Sequence, residues 1–122
     1  LRLEQKLGPC GQIEADPDQL EQALLNLVKN AIEATAEGTI YFQGQALESG
    51  VEIIVEDTGP GIPREDLERI FDLYFTTKAE GTGLGLSIVQ RIISQHGGYT
   101  EVKSELGRGT RFSIFLNRTI IN

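Results

Sequence analysis

Between Leu20 and Ile32 the apolar residues recur at intervals of three and four: Leu20, Ala23, Leu24, Leu27, Val28, Ala31 and Ile32. At 3.6 residues per turn this spacing gathers them on one face of a helix, and that face has to be buried against a second layer. The start of the helix is also marked. Asp16 can accept hydrogen bonds from free amides, Pro17 suits the first helical position, and Gln19 stands where a capping box would be completed. The helix is expected to run to about Ala36 and to stop at Gly38.

The remaining segments alternate between sheet and helix. Leu1 to Leu7 and Ile13 to Ala15 read as short strands around the turn Gly8-Pro9-Cys10-Gly11. Thr39 to Ala46 and Val51 to Asp57 carry β-branched and aromatic residues on either side of Glu48-Ser49-Gly50, the pattern of an antiparallel hairpin. Pro63 to Phe71 predicts a short helix, Leu84 to His96 a second long one ended by Gly97-Gly98. Tyr99 to Glu105 and Thr110 to Leu116 predict a closing hairpin around Gly107-Arg108-Gly109. Together these elements make an α+β two-layer sandwich. With 122 residues, 39% hydrophobic and 24% charged, residues 1–122 fit one globular domain.

Charge and composition exclude several functions. A formal charge of −7 argues against nonspecific binding of nucleic acid, which needs a basic surface to displace counterions. Any anion must therefore be held locally, by backbone amides, a metal ion and a few basic side chains. Cys10 is the only cysteine and has no second thiol to pair with. No apolar run approaches the roughly 20 residues that cross a bilayer, so no membrane contact is expected of this segment. Leu1 to Leu7 alternates apolar with polar, unlike a signal peptide, and a cytoplasmic setting is the expectation.

The polar residues fall into clusters. Asn26, Asn30 and Glu33 occupy a sector of roughly 60° on the first helix, beside its apolar stripe. Such a stripe can be a solvated face; it can equally supply a side-chain carbonyl, from Asn30, to a Mg ion that also holds phosphate oxygens. The strand Val51 to Glu56 leads into Asp57-Thr58-Gly59-Pro60-Gly61, which is either a plain turn or a carboxylate placed to accept from an exocyclic amine such as that of adenine. A second glycine cluster, Gly81-Thr82-Gly83-Leu84-Gly85-Leu86-Ser87, precedes an amphipathic helix whose free amides favour phosphate. It is not a Walker loop, which ends in Gly-Lys-Ser or Gly-Lys-Thr, and no strand leads into it as a dinucleotide fingerprint requires. Between the clusters, Ile70 to Lys78 mixes aromatic residues with Thr76, Thr77 and Lys78. Phe71 and Phe75 can be core packing, or the anchors of a lid from which Lys78 reaches phosphates.

Taken in order, these segments resemble the boxes of sensor histidine kinases. Asn26-Leu27-Val28-Lys29-Asn30-Ala31-Ile32-Glu33-Ala34 resembles the asparagine box and Asp57-Thr58-Gly59-Pro60-Gly61 the first glycine box. Phe71 to Lys78 resembles the phenylalanine box and Gly81 to Leu86 the second glycine box, and the likeness extends from about Asp16 to Leu116. The resemblance implies the Bergerat, or GHKL, fold, with a mixed, mostly antiparallel sheet covered on one face by helices, and Mg-ATP as ligand. By that likeness Asn30 coordinates Mg, Asn26 contacts the phosphates, Asp57 reads adenine, and Gly59, Gly61 and Ile62 shape the base pocket. Glu33 and Ala34 belong to the same binding set, as do Phe71, Thr76, Thr77 and Lys78 of the lid and Gly81, Thr82, Gly83, Leu84, Gly85 and Leu86 of the phosphate loop. Asn26, Asn30 and Lys78 are the residues assigned to catalysis. ATP-hydrolysing relatives carry a water-activating glutamate where this chain has Asn26, so the γ-phosphoryl group is expected to be kept for a protein histidine.

The sequence departs from the family pattern in two places. Phe71-Asp72-Leu73-Tyr74-Phe75 lacks the Glu and Pro of many phenylalanine boxes, and the acceptor histidine box is missing. His96, at a helix end before two glycines, reads as a capping or surface residue. The chain is thus expected to be a fragment, monomeric and inactive alone, whose partners are its own phosphoacceptor and dimerisation domain and, through it, a response regulator. Two other readings stay open: a degenerate docking module that uses no nucleotide, and a serine kinase acting on an anti-sigma partner.

Overall fold

A computed structural model describes residues 2–7, 16–35, 37–48, 50–72 and 85–117 of the chain. The elements run β1 (Arg2–Leu7), α1 (Pro17–Ala34), β2 (Thr39–Ala46), β3 (Gly50–Asp57), α2 (Arg64–Leu67), α3 (Gly85–Gln95), β4 (Tyr99–Glu105) and β5 (Gly109–Asn117). The stretch 8–15, with the expected strand at Ile13 to Ala15, lies outside the described residues.

The start of α1 follows its sequence in part. Asp16 Oδ1 accepts from the amides of Asp18 at 3.0 Å and Gln19 at 3.1 Å, and Pro17 takes the first helical turn, where a missing N–H costs nothing. The expected capping box is corrected, because the Asp16 amide donates to His96 Nε2 at 3.0 Å, across 80 residues of sequence, and not to Gln19. His96 Nδ1 lies 2.8 Å from the carbonyl of Ile92. These two partners place the proton on Nδ1 and leave Nε2 as the acceptor. His96, half-buried, is therefore a cap that reaches across the helix pair, joining the end of α3 to the start of α1. The other end of α1 stops at Ala34, short of Gly38, because Thr35 leaves helical geometry and turns a buried side chain inward while its amide still donates to Ala31 and Ile32.

The second long helix, α3, ends as expected. Gly98 donates to the carbonyl of Ile93 at 2.9 Å and Gly97 to that of Ser94 at 3.0 Å, which is a Schellman closure. The helix expected over Pro63 to Phe71 is shorter. Only Arg64–Leu67 is α-helical, and turns bonded from Arg69 to Asp66 and from Asp72 to Arg69 complete the segment. Residues 64–69 offer only Leu67 as an apolar side chain, so packing holds the segment only at its end, through Ile70 and Phe71.

One five-stranded sheet has the order β1-β2-β3-β5-β4, with β1 parallel to β2 and every other pair antiparallel. Its register puts Phe42 opposite Val55, Val55 opposite Phe112, and Phe112 opposite Val102, so these side chains share the face turned toward α1 and α3. Ile40, Ile53, Ile114 and Leu116 extend the same layer, and Ala23, Leu27 and Ala31 of α1 meet it together with Val89, Ile92 and Ile93 of α3. The opposite face carries the row Tyr41, Glu56, Arg111 and Lys103. Helices thus cover one face of a mostly antiparallel sheet, the α+β sandwich that the sequence predicts.

The two helices run antiparallel, since Asp16 meets His96 at one end of the pair and Asn26 meets Gly85 at the other. His96→Ala is expected to lower stability by about 1 kcal/mol, the worth of a typical internal hydrogen bond, with His96→Gln recovering part of it. Ile93→Ala, at a fully buried position, is expected to cost about 2–5 kcal/mol. Urea unfolding followed by circular dichroism reads both effects.

Candidate functional site

Central strand β3 ends in Asp57, a carboxylate with 4% of its surface exposed. Asp57 Oδ1 accepts from the amide of Gly59 at 2.9 Å. Burial pushes the Asp57 carboxyl above the usual aspartate range, against the opposing pull of the Gly59 and Thr110 amides and the Thr35 hydroxyl. The buried Thr35 hydroxyl lies beside the carboxylate, where it favours the charged form. The end of β3 therefore holds a carboxylate with little water around it and unused accepting capacity.

The loop after Asp57 is fitted to its surroundings at atomic contact. A Cβ on Gly59 would fall 2.9 Å from Thr35 Oγ1 and 3.0 Å from both the Ala34 carbonyl and Asp57 Oδ1, so no larger residue can stand there without displacing the end of α1. Gly61 has φ +80°, and a Cβ there would lie 2.4 Å from the carbonyl oxygen of Glu105. The hairpin β4–β5 holds this loop from the other side. The Gly107 amide donates to the carbonyl of Pro60 at 2.9 Å, and the Ile62 amide donates to Ser104 Oγ at 2.7 Å. Ser104 Oγ in turn donates to the carbonyl of Gly109 at 3.0 Å. Its single proton is then used, so Thr110 Oγ1, 2.9 Å away, is the donor in their pair.

Helix α1 forms the facing wall. Asn26 and Asn30 are half-buried, and Asn26 Nδ2 reaches the carbonyl of Gly85 at 3.5 Å, joining the asparagine stripe to the start of α3. Ala34 is half-buried and its carbonyl abuts Gly59, placing Asn30 one helical turn from the Asp57 loop. Glu33 sits on the exposed side of the stripe, with Lys29 at 4.0 Å. Phe71 packs edge-on against Phe112, ring centres 6.3 Å apart, and Ile62 and Leu86 lean on the same core. The structure thus draws together Asn26 with Gly85, and Ala34 with Asp57, Gly59, Gly61 and Ile62. Thr76, Thr77, Lys78, Gly81, Thr82, Gly83 and Leu84 lie outside the described residues.

Three residues of the site escaped sequence reasoning. Thr35, Ser104 and Thr110 are ordinary hydroxyl residues at a helix end and in a hairpin, and only the folded contacts distinguish them. Among the described residues no group of three or more His, Cys, Asp or Glu side chains could hold a metal ion. Mg does not require such a group, since phosphate and water fill most of its shell, and the Asn30 amide carbonyl is the type of oxygen it accepts. No helix of the described residues is long and apolar enough to cross a membrane.

This architecture agrees with that of known proteins. The profile of the family described as "Histidine kinase-, DNA gyrase B-, and HSP90-like ATPase" matches residues 15–120. The sensor histidine kinase ZraS of Salmonella typhimurium is 55% identical over 109 residues, which cover 86% of this chain and 23% of that protein. Among solved structures, the mycobacterial sensor histidine kinase MprB superposes with a TM-score of 0.86 at 29% identity, over 98% of this chain and 83% of that one. Full-length ShkA in complex with AMPPNP superposes with a TM-score of 0.84 at 34% identity, over 98% of this chain and 26% of that one. The chain belongs to the histidine kinase-like ATPase family, and its fold is that of the catalytic domains of sensor histidine kinases. It spans less than a quarter of the length of ZraS.

The raised Asp57 pKa has a definite consequence for stability. Ionising the buried group costs more in the folded chain than in the unfolded one, so its penalty is complete above the folded pKa and vanishes as pH falls below the unfolded value, near 4. Asp57→Asn, which keeps an oxygen for the Gly59 amide, is expected to raise the melting midpoint at pH 7. The advantage should disappear below about pH 4, as thermal melts across this range would show.

Proposed function

We propose that this domain binds Mg-ATP between α1, the Asp57 loop and the start of α3, and presents the γ-phosphate to a histidine on a separate dimerisation domain. The observation that carries this reading is the buried Asp57 carboxylate, which a base amine can reach without the competition of bulk water. Asp57 accepts the N6 amine of adenine, Gly59 and Gly61 let the ring lie against backbone, and Ile62 and Ala34 line it. Asn26 and Asn30 point the opposite end of the ligand toward Gly85 and Leu86, where the helix start favours phosphate. Lys78, Thr76 and Thr77, with Gly81, Thr82, Gly83 and Leu84, complete the phosphate side in this reading, and Phe71 anchors the segment that carries them. Asn30 would hold the Mg ion, which neutralises phosphate charge; Glu33 lies at the rim.

In the transfer itself a ring nitrogen of the acceptor histidine forms a bond to the γ-phosphorus while the bond to the bridging oxygen breaks and ADP departs. The work of this domain is positioning and charge stabilisation. Asn26 offers no base to activate water, which favours the protein acceptor over hydrolysis. ShkA, which shares the fold, was solved with AMPPNP, and that supports the nucleotide assignment. Residues 1–122 are on this reading one catalytic unit of a longer kinase, monomeric and silent in autophosphorylation without its acceptor domain, with a response regulator as the final recipient.

Titration calorimetry with AMPPNP tests the binding. Affinity is expected to fall when Mg is chelated, and Asn30→Ala or Asp57→Ala is expected to weaken it at least about tenfold while the domain stays folded. Adding an isolated phosphoacceptor hairpin with ATP should yield acid-labile phosphohistidine. A chain that binds no nucleotide with or without Mg would instead favour the docking-module reading.

A further inference from the structure

Three consecutive residues of the loop after β3 are each held by the closing hairpin. The Pro60 carbonyl accepts from the Gly107 amide at 2.9 Å, Gly61 abuts the carbonyl of Glu105, and the Ile62 amide donates to Ser104 Oγ at 2.7 Å. The first two contacts are made by hairpin backbone. Only the third depends on a side chain. Ser104 is half-buried and its hydroxyl is used in full: it accepts from Ile62 and from Thr110 Oγ1 at 2.9 Å, and it donates to the Gly109 carbonyl at 3.0 Å. A hydroxyl is the side-chain group that offers one donor and two acceptors on a single atom, so the choice of residue at 104 decides whether this network closes.

The loop has little else to define it. Residues 58–63 form neither helix nor strand, and α2 behind them is a single turn whose start at Pro63 has no side-chain cap. The same network reaches the beginning of the loop, because Thr110, whose hydroxyl binds Ser104, gives its amide to the Asp57 carboxylate. Ser104 thus ties Ile62, at the close of the loop, to the strand that holds Asp57 at its start. A satisfied network of this kind stiffens what it joins. We infer that Ser104 is a positioning residue for nucleotide binding: it touches no ligand, and through the Ile62 amide it fixes the Gly61 and Ile62 wall of the pocket in the place a flat ring requires. The inference rests on the ATP-binding reading above. A wall free to shift has to be ordered anew by each ligand, and that ordering is subtracted from affinity. The effect belongs to the base end of the site, since Asn26 and Asn30 stand on α1 and Gly85 begins α3.

The test is calorimetric titration of the 122-residue chain with AMPPNP, with and without Mg, at a temperature where melts show every variant folded. Ser104→Ala is expected to lose about fivefold in affinity and to keep the parent's ratio of affinities with and without Mg; Ser104→Thr, which restores the hydroxyl, should stay within about twofold of the parent. Ile93→Val serves as the control for stability alone: it lowers the melting midpoint from inside the core and should leave affinity within about twofold. If Ser104→Ala does not fold, Ser104→Val set against Ser104→Thr, equal in shape, carries the same comparison. Affinity of the Ala or Val variant within about twofold of the parent overturns the inference. Equal losses in the Thr variant and in the variants without the hydroxyl overturn it too, as does a loss of the same size in Ile93→Val, which would mark affinity as following stability. A parent chain that binds no nucleotide removes the ATP reading itself, a failure distinct from these.

Discussion

The close antiparallel contact of α1 and α3 over the sheet is the constraint on which the rest of this domain depends. Ala23, Val89 and Ile93 have no exposed surface, and Ile114 beneath them has none either. Ala23 and Ala31 keep the facing surface of α1 low, so the second helix can sit against it and both can reach β3 and β5. Apolar packing brings the helices together without fixing how far one slides along the other. The polar bonds do that, with the Asp16 amide on His96 at one end and Asn26 on the Gly85 carbonyl at the other. Because Asn26 and Asn30 ride on α1 while Gly85 begins α3, the register of this pair is also the register of the candidate site.

The site itself is built at some expense to the fold. A carboxylate buried at the end of β3 opposes folding, because ionising it there costs more than in water. It stays in place because the surrounding loop is held from two directions, by the contact of Gly59 with α1 and by the Ser104 and Thr110 hydroxyl network of the closing hairpin. The same arrangement answers an electrostatic problem. A chain of net charge −7 has no general attraction for an anionic nucleotide, so affinity has to come from a few oriented groups that act where water is excluded.

Much of the fold was legible in the sequence because its elements have strong local signals. The three-and-four spacing from Leu20 to Ile32, the Asp16-Pro17 start, the paired glycines after α3 and the two hairpin turns all act within a few residues of chain. Elements without such signals depart from the bounds their sequence suggests. The polar run 64–69 lacks an apolar stripe and condensed to a single helical turn, and α1 stopped at Thr35 because a buried side chain there won over continued helix. Of the site, Asp57, Gly59, Gly61 and the asparagine stripe could be named because their residue types are unusual where they stand. Ser104, Thr110 and Thr35 could not, since nothing in their own neighbourhoods sets them apart from any other hydroxyl residue.

By itself, then, the sequence determined where the two long helices and the two hairpins lie, which of their faces are apolar, and which residues carry unusual chemistry, because these follow from backbone preference and periodicity acting locally. Only the tertiary structure decided that His96 accepts from Asp16, that Asn26 meets Gly85, that Ser104 holds Ile62, and that the hydroxyl of Thr35 faces Asp57. Those contacts join residues tens of positions apart or depend on which way a buried side chain turns. Both are settled by packing the whole domain at once, when every buried polar group either finds a partner or is left without one.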